Sequence, residues 1–111
     1  MIKIYKFSSN FCGPCKIYKP IFDKVINNLK GLYGDIEVQE IDIDEDDSES
    51  KANSFNIMAI PTTVITDKDD KVYFKEQGII PEHILSPKIK ALHKKINNII
   101  DVEFKEIVSG D

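Results

Sequence analysis

Two cysteines separated by two residues, Cys12 and Cys15, have the types and spacing best suited to chemistry in this chain. They follow a short alternating segment and open a predicted helix, which puts the first thiol at a helix N-terminus. Unpaired backbone N–H groups and the helix dipole favour an anion there, so Cys12 is expected to be a nucleophilic thiolate near neutral pH. Cys15 should lie one turn inside, more buried and less ionised. Gly13 permits a tight backbone and Pro14 sets φ for the first turn, so the segment predicts redox chemistry through a disulfide between the two cysteines.

Two other interpretations of this pair are half of a zinc site and a pair of inert core cysteines. A closed zinc site needs four ligands, and the chain holds only two cysteines, although His83 and His93 could in principle complete one. The two histidines are instead expected at solvent-facing positions. The sequence also lacks a dinucleotide or flavin motif, so we expect neither a metal nor another bound cofactor.

The composition is that of a single globular domain. The chain has 111 residues and a net charge of −4, and no basic cluster is dense enough to suggest nucleic acid. No apolar run approaches the roughly 20 residues that span a bilayer. The N-terminus alternates from the start instead of resembling a signal peptide, so we expect a cytoplasmic protein in a reducing compartment. The expected oligomeric state is a monomer. Residues 1–100 are expected to form the domain and residues 101–111 a C-terminal extension.

Hydrophobic periodicity predicts an α/β fold with the element order β-α-β-α-β-β-α. The first helix should be kinked at Pro20 and ended by Gly31 and Gly34. The first two strands should be parallel and the last two an antiparallel hairpin. The predicted strands are 2–8, 36–43, 62–66 and 71–77, and the predicted helices are 13–30, about 48–55, and one starting at Ser86-Pro87.

The motifs, taken together, resemble the thioredoxin family over residues 1 to about 97. Each match is weak alone, but their order and spacing are specific together. The first is the dithiol segment Phe11-Cys12-Gly13-Pro14-Cys15, in which Phe11 stands where the family usually has Trp. Pro20 falls at the family's helix-kinking proline, and the segment from Phe55 to Thr62 resembles the one that contains the family's cis-proline, which is Pro61 here. Gly78 falls at the family's glycine beside the substrate groove.

The resemblance implies reduction of protein disulfides. The Cys12 thiolate would attack a partner's disulfide, and Cys15 would resolve the mixed disulfide, leaving Cys12 and Cys15 oxidised. A thioredoxin reductase would recharge the dithiol, so NADPH would act only indirectly. A cis Pro61 would place the Ile60 backbone beside Cys12, where it can pair with the partner's main chain. The Gly-Pro between the cysteines is typical of the reducing members.

An apolar rim around the dithiol is the expected docking surface for extended protein segments. The same residues could instead be core. The residues expected to bind substrate are Phe11, Ala59, Ile60, Gly78 and Ile79, with Met58 and Ile80 beside them.

The chain departs from the family pattern at both ends. Only eleven residues precede Cys12, so the usual first strand and helix are absent and the sheet should have four strands. Strand 36–43 would then lie at an edge. The alternating tail at 101–108 could cover that edge as a strand, but we favour an extension of the last helix.

A pair of charges is exchanged relative to the family. Lys6 stands where a buried Asp is usual, and Glu40 aligns with its partner Lys. We hypothesise that the two form a partly buried ion pair behind Cys15, with Glu40 as the proton acceptor that assists Cys15. The alternative is two solvent-facing charges.

The sequence leaves other functions open. The chain could be a dedicated, glutaredoxin-like electron donor to one target such as a ribonucleotide reductase. It could also be a non-catalytic binding subunit that uses the fold's surface. Disulfide isomerisation would need an oxidising compartment, which the N-terminus does not indicate.

Overall fold

The computed structural model describes the backbone of residues 1–109 and the side chains of residues 1–98. The strands form one sheet in the order β2-β1-β3-β4, with β2 parallel to β1 and the other neighbours antiparallel. The predicted fold class, element order and edge position of β2 are therefore confirmed. The elements are β1 (Ile2–Ser8), α1 (Gly13–Leu32), β2 (Ile36–Asp42), α2 (Glu49–Ser54), β3 (Thr62–Asp67), β4 (Val72–Gln77) and α3 (Glu82–Ser109).

Alternation along β1 divides the core into two layers, because successive side chains point to opposite faces of the sheet. Ile2 and Ile4 are fully buried in the larger cluster, which α1 and α3 complete. Tyr5 and Phe7 are fully buried in a smaller aromatic cluster on the other face, with Phe55. The parity of β1 assigns Lys6 to the same face as Ile2 and Ile4, under α1.

The last helix begins earlier than its proline suggests. The prediction of a start at Ser86-Pro87 is wrong: α3 begins at Glu82, and Pro87 lies inside it. The N–H of Leu85 donates to the Pro81 carbonyl at 2.9 Å, so the first turn forms ahead of Pro87. Leu85 and Ile89 are fully buried and four residues apart, and this extends the apolar stripe one turn towards the N-terminus.

Smaller boundary differences occur elsewhere. Gly31 does not end α1, which runs through it to Leu32 with Tyr33 as the C-cap. Pro20 lies within the same helix. The predicted tail helix is confirmed, since α3 continues to Ser109. No helix in the described part of the chain is long and apolar enough to cross a membrane.

One histidine is less exposed than its position on α3 suggests. His83 is exposed as expected, but the expectation of a solvent-facing position is wrong for His93, whose side chain is only 14% exposed. Its ring stacks on Tyr33 with centroids 4.0 Å apart, and its Nε2 lies 2.7 Å from the Asp35 carboxylate. His93 therefore joins α3 to the segment that links α1 and β2.

A charged network joins β1, α2 and the β3–β4 turn. The buried Tyr5 hydroxyl donates to the Asp70 carboxylate, and Lys51 and Lys3 lie 3.2 and 3.4 Å from the same carboxylate. The Tyr5 hydrogen bond, followed by the two lysines, lowers the pKa of Asp70 despite partial desolvation. The pKa of Tyr5 is raised, mainly because its hydroxyl is buried and secondly because it is bonded to the negatively charged Asp70.

The network should stabilise the fold in a pH-dependent way. The folded-state pKa of Asp70 lies below its ordinary value of 3.8, so the stabilisation of the fold by the Asp70 carboxylate is fully present at pH values above 3.8. It is lost as the pH falls through the lower folded-state pKa. We expect Asp70→Asn to cost about 1 kcal/mol at neutral pH, the difference between charged and neutral hydrogen bonds, and the gap to the wild type to close in acid. Urea unfolding at several pH values measures this gap, and the exposed neighbour in Asp69→Asn is the matched control. A gap that stays constant into acid would contradict the assignment.

Candidate active site

The two cysteines stand at the junction between β1 and α1. They form a disulfide with their Cα atoms 5.2 Å apart. Cys12 is the N-cap residue of α1, with extended backbone, and its Sγ accepts a hydrogen bond from the Cys15 N–H at 3.1 Å. Cys12 is half-buried, whereas Cys15 is only 5% exposed. Cys12 is thus the more exposed of the two cysteines, as the sequence predicts.

The loop before the dithiol is held by its own hydrogen bonds. Ser9 accepts from the Phe11 N–H at 3.1 Å through its hydroxyl and from the Cys12 N–H at 3.3 Å through its carbonyl. The Ser9 hydroxyl in turn donates to Asp44, after β2. Phe11 projects from this loop and is 91% exposed. Gly13 and Pro14 are exposed in the first turn of the helix, as expected.

A second segment, ahead of β3, approaches the same sulfur. The Ile60–Pro61 peptide bond is cis, as predicted, and the Ile60 carbonyl oxygen lies 3.9 Å from Cys12 Sγ. The Thr62 hydroxyl donates to the Ala59 carbonyl at 2.6 Å, and the Gly78 N–H donates to the Pro61 carbonyl at 2.7 Å. Gly78 has φ of +94°, a conformation that favours glycine. These bonds fix the backbone beside Cys12.

An open apolar cleft of about 250 Å³ adjoins this segment. Met58 at its rim is 76% exposed, and Ile79, next to Gly78, is 39% exposed, whereas Ile80 is buried in the core. The expectation of an apolar rim thus holds for Met58 and Ile79, and Ile80 is core. Sequence reasoning did not assign three of the lining residues to the site: Ile43 just after β2, Ala52 in α2, and Ile57 ahead of Pro61. The lining residues are Ile43, Ala52, Ile57, Met58, Ala59 and Ile60.

Lys6 and Glu40 form the predicted ion pair. They are register partners on β1 and β2, and Lys6 Nζ lies 2.8 Å from Glu40 Oε1. The Lys6 side chain is 5% exposed and its ammonium lies 4.8 Å from the centre of the Phe22 ring, so the alternative of two solvent-facing charges is wrong for Lys6. Glu40, by contrast, is 48% exposed.

This unequal burial predicts an unequal effect of removing either partner. Lys6→Met removes the buried charge itself and leaves a hydrated carboxylate, so we expect a change of less than about 1 kcal/mol. Glu40→Met leaves a buried ammonium without its partner and should cost about 1–3 kcal/mol. Chemical denaturation of both variants measures the difference. Equal losses in the two variants would show that the burial of Lys6 does not govern the energetics of the pair.

Within residues 1–98, whose side chains are described, no group of three or more His, Cys, Asp or Glu side chains could hold a metal ion. The two histidines considered as zinc ligands, His83 and His93, lie ten residues apart on α3, and the His93 ring is hydrogen-bonded to the Asp35 carboxylate.

Comparison with known proteins agrees with this geometry. The family model Thioredoxin matches residues 2–91. A thioredoxin of Mycoplasmoides gallisepticum is 36% identical over 87 residues, covering 78% of this chain and 80% of the relative. A thioredoxin of Mycoplasmopsis pulmonis is 31% identical over 94 residues, covering 84% and 85%.

Solved structures show the same fold. The crystal structure of chloroplastic thioredoxin z superposes with a TM-score of 0.68 at 23% identity, over 85% of this chain and 80% of that one. The family match, the curated relatives and the cysteine pair at disulfide distance lead to one conclusion. The chain belongs to the thioredoxin family and is a protein-disulfide oxidoreductase.

Proposed function

We propose that this protein reduces disulfides in partner proteins, with Cys12 as the attacking and Cys15 as the resolving cysteine. The observation that carries the proposal is the unequal exposure of the two cysteine residues at the start of α1. The Cys12 thiolate attacks one sulfur of the partner's disulfide, and the partner's other sulfur leaves as a thiolate that takes up a proton. Cys15 then attacks Cys12, the mixed disulfide breaks, and the partner leaves reduced.

The partner is proposed to dock as an extended segment beside Ile60. The half-buried Ile60 lies next to Cys12, and a segment placed there would bring its disulfide to the exposed sulfur. Apolar side chains of the partner would contact Phe11, Ala59 and Ile79, and Gly78, which has no side chain, would leave room for the partner's backbone. Gly13, Pro14 and Pro61 act as supporting residues that fix the two loops.

A thioredoxin reductase is proposed to recharge the dithiol, with NADPH as the ultimate electron source. We further propose that the protein acts as a cytoplasmic monomer with its catalytic domain in residues 1–100 and an extension at 101–111. Lys6 and Glu40 are proposed as the charged pair that assists Cys15. Their ion pair and the burial of Lys6 support this assignment.

The experiment compares two electron sources and several disulfide substrates. NADPH consumption is followed with thioredoxin reductase, and in parallel with glutathione and glutathione reductase. The proposal predicts turnover of insulin and of unrelated protein disulfides with the first system only. Turnover with glutathione would indicate a glutaredoxin-like donor, and activity on one target alone would indicate a dedicated partner. If Cys12→Ser retained partner function, the protein would be a binding subunit instead.

A further inference from the structure

Lys6 is the one charged residue that is buried among the side chains described. The proposed function gives the Lys6–Glu40 pair a part in assisting Cys15 but does not say which of the two charges acts on the thiol. It occupies the helix-facing side of β1, where Ile2 and Ile4 are core residues. A buried ammonium is costly unless something compensates it, and Glu40 does so only from a half-exposed position.

Lys6 and Cys15 line the same small cleft. It is open to solvent and has a volume of about 90 Å³, enough to admit water. Its charged lining residues are all lysines, and Glu40 lies instead on a separate cleft along β2. The lining residues are Lys6, Ser8, Ser9, Asn10, Cys15, Lys16 and Lys19.

The charges around this cleft are unequally compensated. From β1, Lys6 is paired with Glu40 of β2 at 2.8 Å. From α1, Lys19 is paired with Asp23 at 3.0 Å, and Lys16 lines the cleft on the same helix. The carboxylates of Glu40 and Asp23 are 48% and 42% exposed, so water screens them, whereas the Lys6 ammonium is held in a desolvated position. The potential at Cys15 should therefore be positive.

We propose that Lys6 is a positioning residue whose ammonium stabilises the thiolate of Cys15 during the resolving step. The inference rests on the proposed function, in which Cys15 attacks Cys12. The Cys15 thiol gives its proton to water in the cleft, which passes it to bulk solvent. The thiolate then forms the S–S bond with Cys12 as the bond between Cys12 and the partner breaks, and the partner sulfur takes the electron pair and then a proton. Water therefore takes the proton for which the sequence suggested Glu40 as the acceptor, and the Glu40 carboxylate partly offsets the positive potential of Lys6.

The test measures the ionisation of Cys15 alone. In a Cys12→Ser background Cys15 is the only thiol, and the ultraviolet absorbance of the thiolate gives the pH midpoint of its ionisation. We expect Lys6→Met to raise this midpoint by about one pH unit, a tenfold loss of acidity, because an opposite charge nearby favours the charged form. Glu40→Gln should lower it, since the Lys6 charge is then less compensated.

The chain offers matched controls on the same two strands. Lys3 and Glu37 are also register partners on β1 and β2, on the opposite face of the sheet, with Nζ and Oε2 4.0 Å apart. Lys3→Met and Glu37→Gln should leave the midpoint unchanged. A midpoint that moves no more in Lys6→Met than in Lys3→Met would overturn the proposal. If Lys6→Met does not fold, Glu40→Gln decides, and the absence of a downward shift overturns it.

A kinetic readout separates this proposal from the proposed function. Resolution of a mixed disulfide on the two-cysteine protein should be about tenfold slower in Lys6→Met near neutral pH, with the difference closing as the pH rises. A slowing that is the same at every pH would show a purely structural effect and overturn the proposal. Failure of wild-type insulin turnover would refute the proposed function, while the Cys15 midpoint would still report on Lys6.

Discussion

Replacing Cys15 by serine is expected to trap the protein on its substrate. In Cys15→Ser the Cys12 thiolate can still attack a partner's disulfide, but the serine hydroxyl cannot resolve the product. The mixed disulfide should therefore accumulate, and catalytic turnover should fall to the rate without protein. Mass spectrometry or a non-reducing gel after mixing with a disulfide substrate detects the adduct.

Cys12→Ser is the matched variant, and it should form no adduct. The structure requires this asymmetry because Cys12 is half-buried beside the Ile60 carbonyl, whereas Cys15 is 5% exposed. An adduct that forms in Cys12→Ser and not in Cys15→Ser would reverse the assigned roles. Adducts in both variants at equal rates would show that the two sulfurs are equally accessible.

Leu85→Ala is expected to produce the largest loss of stability among the substitutions considered. Leu85 is fully buried in the larger core cluster, and its truncation leaves a cavity between α3 and the sheet. Such changes cost about 2–5 kcal/mol, a large part of the stability of a domain this size. Chemical or thermal unfolding measures the loss.

The adjacent Ile84→Ala is the control, because Ile84 is 46% exposed. It should change the free energy of unfolding by no more than about 0.5 kcal/mol. Similar losses in the two variants would contradict the burial of Leu85 in the larger core cluster.

The dithiol and its surroundings were predictable from sequence because the signals are local. A cysteine pair that follows a strand and opens a helix fixes the N-cap position of Cys12 through the chain itself. The cis bond before Pro61 was expected from the resemblance of its segment to the thioredoxin family. The strands followed from the alternation of apolar residues, and the edge position of β2 followed from the absence of the family's usual first strand and helix.

The differences arise where tertiary packing overrides a local signal. Ser86-Pro87 is a good helix start, but burial of Leu85 extends α3 one turn earlier. His93 occupies a polar-looking position, yet the Tyr33 ring and Asp35 cover it. Neither contact has a sequence signal, since each joins residues about 60 positions apart in the chain.

The burial of Lys6 shows the same limitation in another form. Strand parity placed it on the face of Ile2 and Ile4, and the register with Glu40 supplied the partner. Which member of the pair is buried depends on the sheet edge, because β2 is the outer strand and leaves Glu40 half-exposed. The sequence predicted the pair, and the structure shows that its cation is the member that lines the cleft with Cys15.

A single-turnover reaction tests the central claim most directly. Fully reduced protein is mixed with an equal amount of insulin, without reductase or added thiol, and both are examined by thiol counting and mass spectrometry. The account predicts that insulin gains thiols while Cys12 and Cys15 become a disulfide, in equal amounts. Reduced cysteines that persist beside intact insulin disulfides would contradict it.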